Sequence, residues 1–142
     1  MRRNRYGRTP DAVSNEQRSQ NSLSELQESA FQRGRYKLNQ EVPTGETWID
    51  NKSIYRVVID IAPLPNATTK NYAIPVRYQE IVKLYGVAND GTTSVFPLPF
   101  LLTGALGNGI GIRITDYQTL TVECGADRSG YTKAYVIIEY TK

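Results

Sequence analysis

The chain has 142 residues, enough for one domain that buries about two thirds of its unfolded surface. It carries 17 Lys or Arg, 14 Asp or Glu and no His, for a net charge of +3. The absence of histidine removes the usual general base at neutral pH and most transition-metal sites, and the lone Cys124 excludes an internal disulfide and a cysteine zinc cluster.

No cofactor, metal site or catalytic residue is therefore expected. No apolar run approaches the length of a bilayer span and the start lacks the apolar segment of a signal peptide, so the expectation is a protein without membrane contact, made in a cytoplasm. Composition divides the chain into a basic arm, 1–44, and a β domain, 45–142. The first 40 residues hold eight Lys or Arg against Asp11, Glu16, Glu25 and Glu28, a balance of +4, and the remainder has nine against ten, a balance of −1.

The arm opens with Arg2, Arg3, Arg5 and Arg8. Guanidinium groups grip carboxylate and phosphate alike, so the cluster reads as a protein docking site, a nucleic-acid contact or a solvated tail. Tyr6 is the one aromatic in the cluster that could stack on a base, and the charge is modest, which puts protein docking first. Further on, Ser22 and Glu25 form a capping-box pattern, Leu23, Leu26, Ala30 and Phe31 gather on one side, and Gly34 can close the end. This predicts a short helix over 22–33. A narrow apolar stripe on one short helix is unstable alone in water, so it needs a partner: a copy of itself, its own β domain or another protein. Arg2, Arg3, Arg5, Arg8, Leu23, Leu26 and Phe31 are the candidate docking residues.

The stretch from Gly45 to Ile61 holds the only tryptophan, a turn and the strongest strand pattern. Tyr55, Val57, Ile59 and Ile61 alternate with Arg56, Val58 and Asp60, the period of a strand with one buried face. Asp50-Asn51-Lys52 is turn chemistry, so Thr47 to Asp50 and Ser53 to Ile61 read as a hairpin. Pro63 and Pro65 place a loop after Ile61, and Ala73 to Val76 reads as a short edge strand. Ile81 to Val87 and Thr92 to Phe96 flank Asn89-Asp90-Gly91, a second hairpin, which Pro97 to Phe100 should interrupt. Leu101-Leu102 is expected to pack.

The glycines at 104, 107, 109 and 111 precede an alternating strand, Ile110, Ile112 and Ile114, where a phosphate loop would need a helix. Thr119 to Cys124 puts Leu120, Val122 and Cys124 on one face, with Cys124 as a small apolar core residue. Lys133 to Tyr140 is apolar on both faces, as in the middle of a sheet or against another subunit. Seven or eight short strands about ten residues apart imply an all-β fold, an antiparallel β-sandwich of jelly-roll-like type.

The run T-W-I-D-N-K-S-I-Y-R resembles the G-T-W-I-D-G-K-x-I-Y-R opening of many bacteriophage structural proteins, and A-Y-V-I-I-E-Y-T-K resembles the way those domains end. The likeness covers Gly45 to Lys142 and rests on Trp48, Asp50, Tyr55, Arg56 and Tyr140 among its motif positions. Glu46 and Asn51 stand where that pattern has Gly. The resemblance implies a virion fibre or decoration protein, of head-fibre or tail-fibre type. Its β domain would form a homotrimer, and its arm would dock on capsid, portal or tail proteins. Receptor or glycan binding on the host surface would then fall to Tyr-, Asn- and Thr-rich loops, with Asn66, Tyr72, Asn89, Asp127 and Tyr131 as candidates.

Two other classes compete: a packaging-associated protein contacting nucleic acid through its arginine arm, and a small polysaccharide hydrolase. For the latter, Asp116 and Glu123 are the carboxylates the fold could pair. A serine nucleophile would need lysine as its base, and no S-x-x-K motif is present.

Overall fold

The structure is a computed structural model that describes residues 17–27 and 33–142. The chain divides into two units, Met1–Arg33 and Gly34–Lys142.

In the first unit, residues 17–27 are helical, and every residue of the segment is exposed. Ser22 therefore lies inside the helix and does not cap it. The side-chain amide of Gln17 donates to Asn21 Oδ1 one turn on, at 3.3 Å. Residues 28–32 of the expected continuation lie outside the described residues, and Arg33 lies in a turn.

The second unit is an all-β, antiparallel sandwich. Its strands are β1 (Val42–Thr47), β2 (Ser53–Asp60), β3 (Thr69–Ala73), β4 (Glu80–Asn89), β5 (Val95–Leu98), β6 (Ile110–Thr115), β7 (Thr119–Cys124) and β8 (Lys133–Thr141). One sheet has the order β1-β2-β8-β4-β5 and the other β3-β7-β6.

Alternation decides which side chains meet between the sheets. Val57 and Ile59 of β2 stand opposite Ile138 and Val136 of β8, while Ile110 and Ile112 of β6 stand opposite Cys124 and Val122 of β7. These residues join Ile61, Leu64, Leu98, Leu120 and Tyr140 in one core. Each Ile, Leu or Val fully buried there contributes about 1.5–3 kcal/mol. Cys124 is a buried free thiol, and its neighbours raise its pKa through burial first, against the nearby Arg128 charge, which lowers it. The strand apolar on both faces, β8, lies in the middle of the larger sheet.

Several boundaries differ from the sequence expectation. The boundary at 44/45 falls inside β1, because Val42 pairs with Arg56 and is buried, and Leu38 bridges Val58. The stretch 34–44 is too polar and broken to announce itself: Gly45 has φ +87, and the register shifts between Pro43 and Thr47. β1 then ends where Thr47 meets Ser53. Trp48 to Lys52 form the turn, closed by Trp48 N–H to Lys52 O at 2.8 Å and Asn51 N–H to Trp48 O at 2.9 Å. Asn51 sits at φ +67, a conformation asparagine tolerates.

The edge strand expected at Ala73 to Val76 is instead β3, Thr69–Ala73, set by its pairing with Glu123 to Thr119. β5 starts later than expected because Asp90 Oδ1 accepts the amides of Thr92, Thr93 and Ser94 and holds them in the loop. It runs through Pro97, which a sheet-edge position accommodates. Leu101 and Leu102 are exposed, not packed.

Candidate functional site

The outer face of the larger sheet carries a buried charge. Glu139 is 1% exposed, with Arg56 Nε 3.0 Å from Oε2 and the Tyr85 hydroxyl 3.4 Å from the same oxygen. Lys83 Nζ is 3.6 Å from Oε1, an oxygen with no hydrogen bond among the described residues. The Arg56 guanidinium also donates to Gly34 O at 2.7 Å and lies over the Tyr36 ring at 4.1 Å. Tyr85 is pushed up to about 12 by burial, by its hydrogen bond with Tyr36 and by the Glu139 charge. Beside this cluster an apolar groove of about 340 Å³ runs between Tyr36, Leu38, Val58, Val87, Tyr135 and Ile137. Residues 34–38 thus fasten to the sheet through Arg56 and leave a greasy trough next to it.

A second cluster gathers tyrosines where β8 ends. Tyr140 is fully buried and donates to Glu41 Oε1 at 2.6 Å. Burial and that carboxylate hold its pKa well above the usual range. Lys142 Nζ takes the other Glu41 oxygen at 2.6 Å and lies over the Tyr55 ring at 4.3 Å. Tyr78 leans against Tyr140 at 6.5 Å between ring centres and stacks flat on Tyr117 at 4.8 Å and 4°.

Tyr117 has φ +75. For a bulky side chain this backbone costs about 1–3 kcal/mol, which the surroundings must over-determine. Two bonds do so here: Tyr78 hydroxyl to Tyr117 O at 2.6 Å and Tyr117 hydroxyl to Gln79 O at 3.3 Å. A depression of about 220 Å³ beside the pair is lined by Arg77, Tyr78, Gln79 and Lys142.

The candidate loop residues separate. Asn66 bridges Asp127, and Arg128 N–H bonds Pro65 O at 3.2 Å, so those two loops form one surface. Asp127 builds its own turn through Ser129 N–H and Oγ at 3.0 and 2.6 Å, bonds that depress its pKa. Tyr131 stacks on Phe96 at 5.0 Å, and Arg128 lies over Phe96 at 5.4 Å. Asn89 ends β4 opposite Val95 and shares a hollow with Lys133. Tyr72 belongs elsewhere: it is a β3 residue whose hydroxyl bonds Ile61 O at 2.7 Å, and its pKa is pushed up to about 12 by burial and by Asp60.

Of the motif residues, Trp48 is half-buried in the hairpin turn, with its indole N–H buried and without a hydrogen bond among the described residues. Asp50 Oδ1 accepts Lys52 N–H at 3.1 Å, tightening the same turn. Tyr55 stacks with Tyr140 at 6.1 Å, and Arg56 holds Glu139. In the arm, Leu23 and Leu26 are 57% and 67% exposed, while Arg2, Arg3, Arg5, Arg8 and Phe31 lie outside the described residues.

The carboxylates Asp116 and Glu123 do not converge. Thr115 pairs with Thr119 and Gly111 with Glu123, and Asp116 lies one residue beyond Thr115, so the two carboxylates are five ladder positions apart, roughly 17 Å along the strand, beyond the reach of a glycosidase pair. Glu123 is instead paired with Arg113 at 2.7 Å. Among the described residues, no group of acidic or cysteine side chains could hold a metal ion, and no helix is long and apolar enough to cross a membrane.

Sequence reasoning missed the Tyr78–Tyr117 stack, because two loop residues 39 apart share no periodicity. It placed Glu139 on the right strand, and a charge within a strand apolar on both faces was the available signal of a buried ion pair.

Comparison with known proteins finds no matching family model, no matching curated protein and no matching solved structure.

Proposed function

We propose that the chain is a non-enzymatic virion subunit of bacteriophage fibre or decoration type. The body from Gly34 onward is the displayed part and self-associates as a homotrimer. The basic segment before it attaches the subunit to capsid, portal or tail proteins. Resemblance of the hairpin and the C-terminal strand to phage structural domains suggests the class. The observation that carries the division of labour is the core itself: among the described residues its buried apolar members begin at Val42, while Leu23 and Leu26 remain exposed on a helix of a separate unit.

Self-association has support of its own in the apolar trough on the outer sheet face, since subunit interfaces bury such surfaces. The test compares the full chain with a Gly34–Lys142 fragment for retention on purified particles lacking the protein, and for mass in solution. The fragment is expected to keep its trimer mass and lose retention. Equal retention would remove the arm as the anchor, and a monomeric mass for both would remove the trimer.

A further inference from the structure

The margins of the two sheets differ. The larger sheet ends in strands that resist a newcomer: β1 carries Pro43 and a register shift before Thr47, and β5 carries Pro97, which has no N–H to offer. The strands of the smaller sheet, β3-β7-β6, contain neither a proline nor a register shift.

Both of its margins are open. Thr68 and Ile74 bond Cys124 and Gln118 at the two ends of β3, so by alternation Lys70 and Tyr72 turn their backbone groups toward β7, while Thr69, Asn71 and Ala73 turn theirs outward. On the other side Gly125 N–H bonds Gly109 O, which turns Ile110, Ile112 and Ile114 outward. Phe100 takes both groups of Ile110. Those of Thr69, Asn71, Ala73, Ile112 and Ile114 have no backbone partner among the described residues. Nor do the charges on these strands guard them: Lys70 lies over its own Tyr72 ring at 5.3 Å, and Arg113 is paired with Glu123.

A chain of side-chain hydrogen bonds crosses the sheet between these margins, and it has a direction. Asn71 Oδ1 can only accept, so Thr121 donates to it at 3.0 Å. With that proton committed, Thr115 is the donor to Thr121 at 2.9 Å. The amide donors of Asn71 are left at the β3 margin and the hydroxyl lone pairs of Thr115 at the β6 margin. Donors at one edge and acceptors at the other match head to tail. Two β3 margins would set donors against donors, and two β6 margins acceptors against acceptors.

We infer that β6 of one protomer pairs with β3 of the next, Asn71 beside Thr115, so that the smaller sheets run on from copy to copy. Both strands are antiparallel to β7, so rotation about an axis along the strands brings them together as parallel neighbours. The exposed Leu101 and Leu106 beside the start of β6 add apolar surface for the next copy to cover. A head-to-tail contact of this kind closes into a ring. That the ring has three members rests on the trimer reading above.

The test places one cysteine on each margin of the full chain, N71C and T115C, followed by mild oxidation. Within one copy β7 separates the two positions by roughly 10 Å, beyond disulfide reach, and Cys124 is buried. The double variant is expected to give covalently linked chains of up to three copies on a denaturing gel, and each single variant none. A73P removes an outward N–H and no bond within its own sheet. It should sediment as a monomer at concentrations where the parent is trimeric, with its cooperative unfolding transition kept. Covalent dimers from a single variant, a double variant that stays monomeric on the gel, or A73P as trimeric as the parent would overturn the head-to-tail contact and leave the trimer standing. A monomeric parent would overturn both.

Discussion

Arg56 and Glu139 stand opposite each other across β2 and β8, with Arg56 Nε 3.0 Å from a carboxylate that is almost wholly buried. The pair joins the hairpin motif to the C-terminal strand, the two ends of the resemblance to phage domains. Its Arg56 side also carries Gly34 and Tyr36. Removing one partner strands a buried charge, which typically costs about 3–5 kcal/mol, whereas replacing both with apolar groups is often close to neutral. Lys83 remains near Glu139, so R56M is expected at the lower end, about 3 kcal/mol. Urea unfolding of R56M, E139M and the double variant checks this, with the double variant recovering most of the loss.

Alkaline pH should weaken the fold through its buried tyrosines. Tyr72 and Tyr85 are raised from 10.0 to about 12 by burial first, and Tyr140 is raised for the same reason and by Glu41. A raised folded-state pKa contributes stability that is complete below the unfolded value and is lost as pH climbs toward the folded one. Unfolding midpoints should therefore be insensitive to these groups below pH 10 and fall between about pH 10 and 12. The decline should be shallower in Y72F. A flat profile across that window would contradict the buried placement of these hydroxyls.

Asn51 at φ +67 makes a graded prediction. N51G should leave stability unchanged or slightly raised, because it removes the Cβ that crowds the following carbonyl in this conformation, and N51A should cost about 1 kcal/mol, because it keeps that Cβ and loses the short polar side chain that lets asparagine tolerate it. Thermal unfolding of the two variants separates a turn fixed by backbone conformation from one fixed by the asparagine side chain.

Gly86 in β4 faces the β8 backbone so closely that a Cβ would collide with the carbonyl of Tyr135 and press on Leu98. G86A is expected to destabilise by about 1–3 kcal/mol through overpacking, measured by urea unfolding, although alanine suits a strand better than glycine does. A neutral result would mean that β4 and β8 can separate.

Legibility in the sequence followed the alternation. β2, β6, β7 and β8 were visible because Val57, Ile112, Val122 and Ile138 recur at a period of two and reach one core. Cys124 was assignable for the same reason. β1 and β3 were not, because an edge strand such as Thr-Lys-Asn-Tyr-Ala buries little and need not alternate. The helix start was misplaced because a capping-box pattern inside a helix looks like one at its end. The Tyr78–Tyr117 stack depended on the fold bringing the 74–79 and 116–118 loops together, through Ile74 N–H to Gln118 O at 2.8 Å, a relationship no local pattern encodes.

The proposed division of labour requires a body that folds by itself from Gly34 onward. The most direct measurement is urea unfolding of three chains: full length, Gly34–Lys142 and Gly45–Lys142. A single cooperative transition at the full-length midpoint is expected for Gly34–Lys142. A clearly lower midpoint is expected for Gly45–Lys142, which lacks the buried Val42, the Leu38 bridge and the Glu41 partner of Tyr140. A Gly34–Lys142 fragment that fails to fold, or a Gly45–Lys142 fragment as stable as the whole, would contradict it.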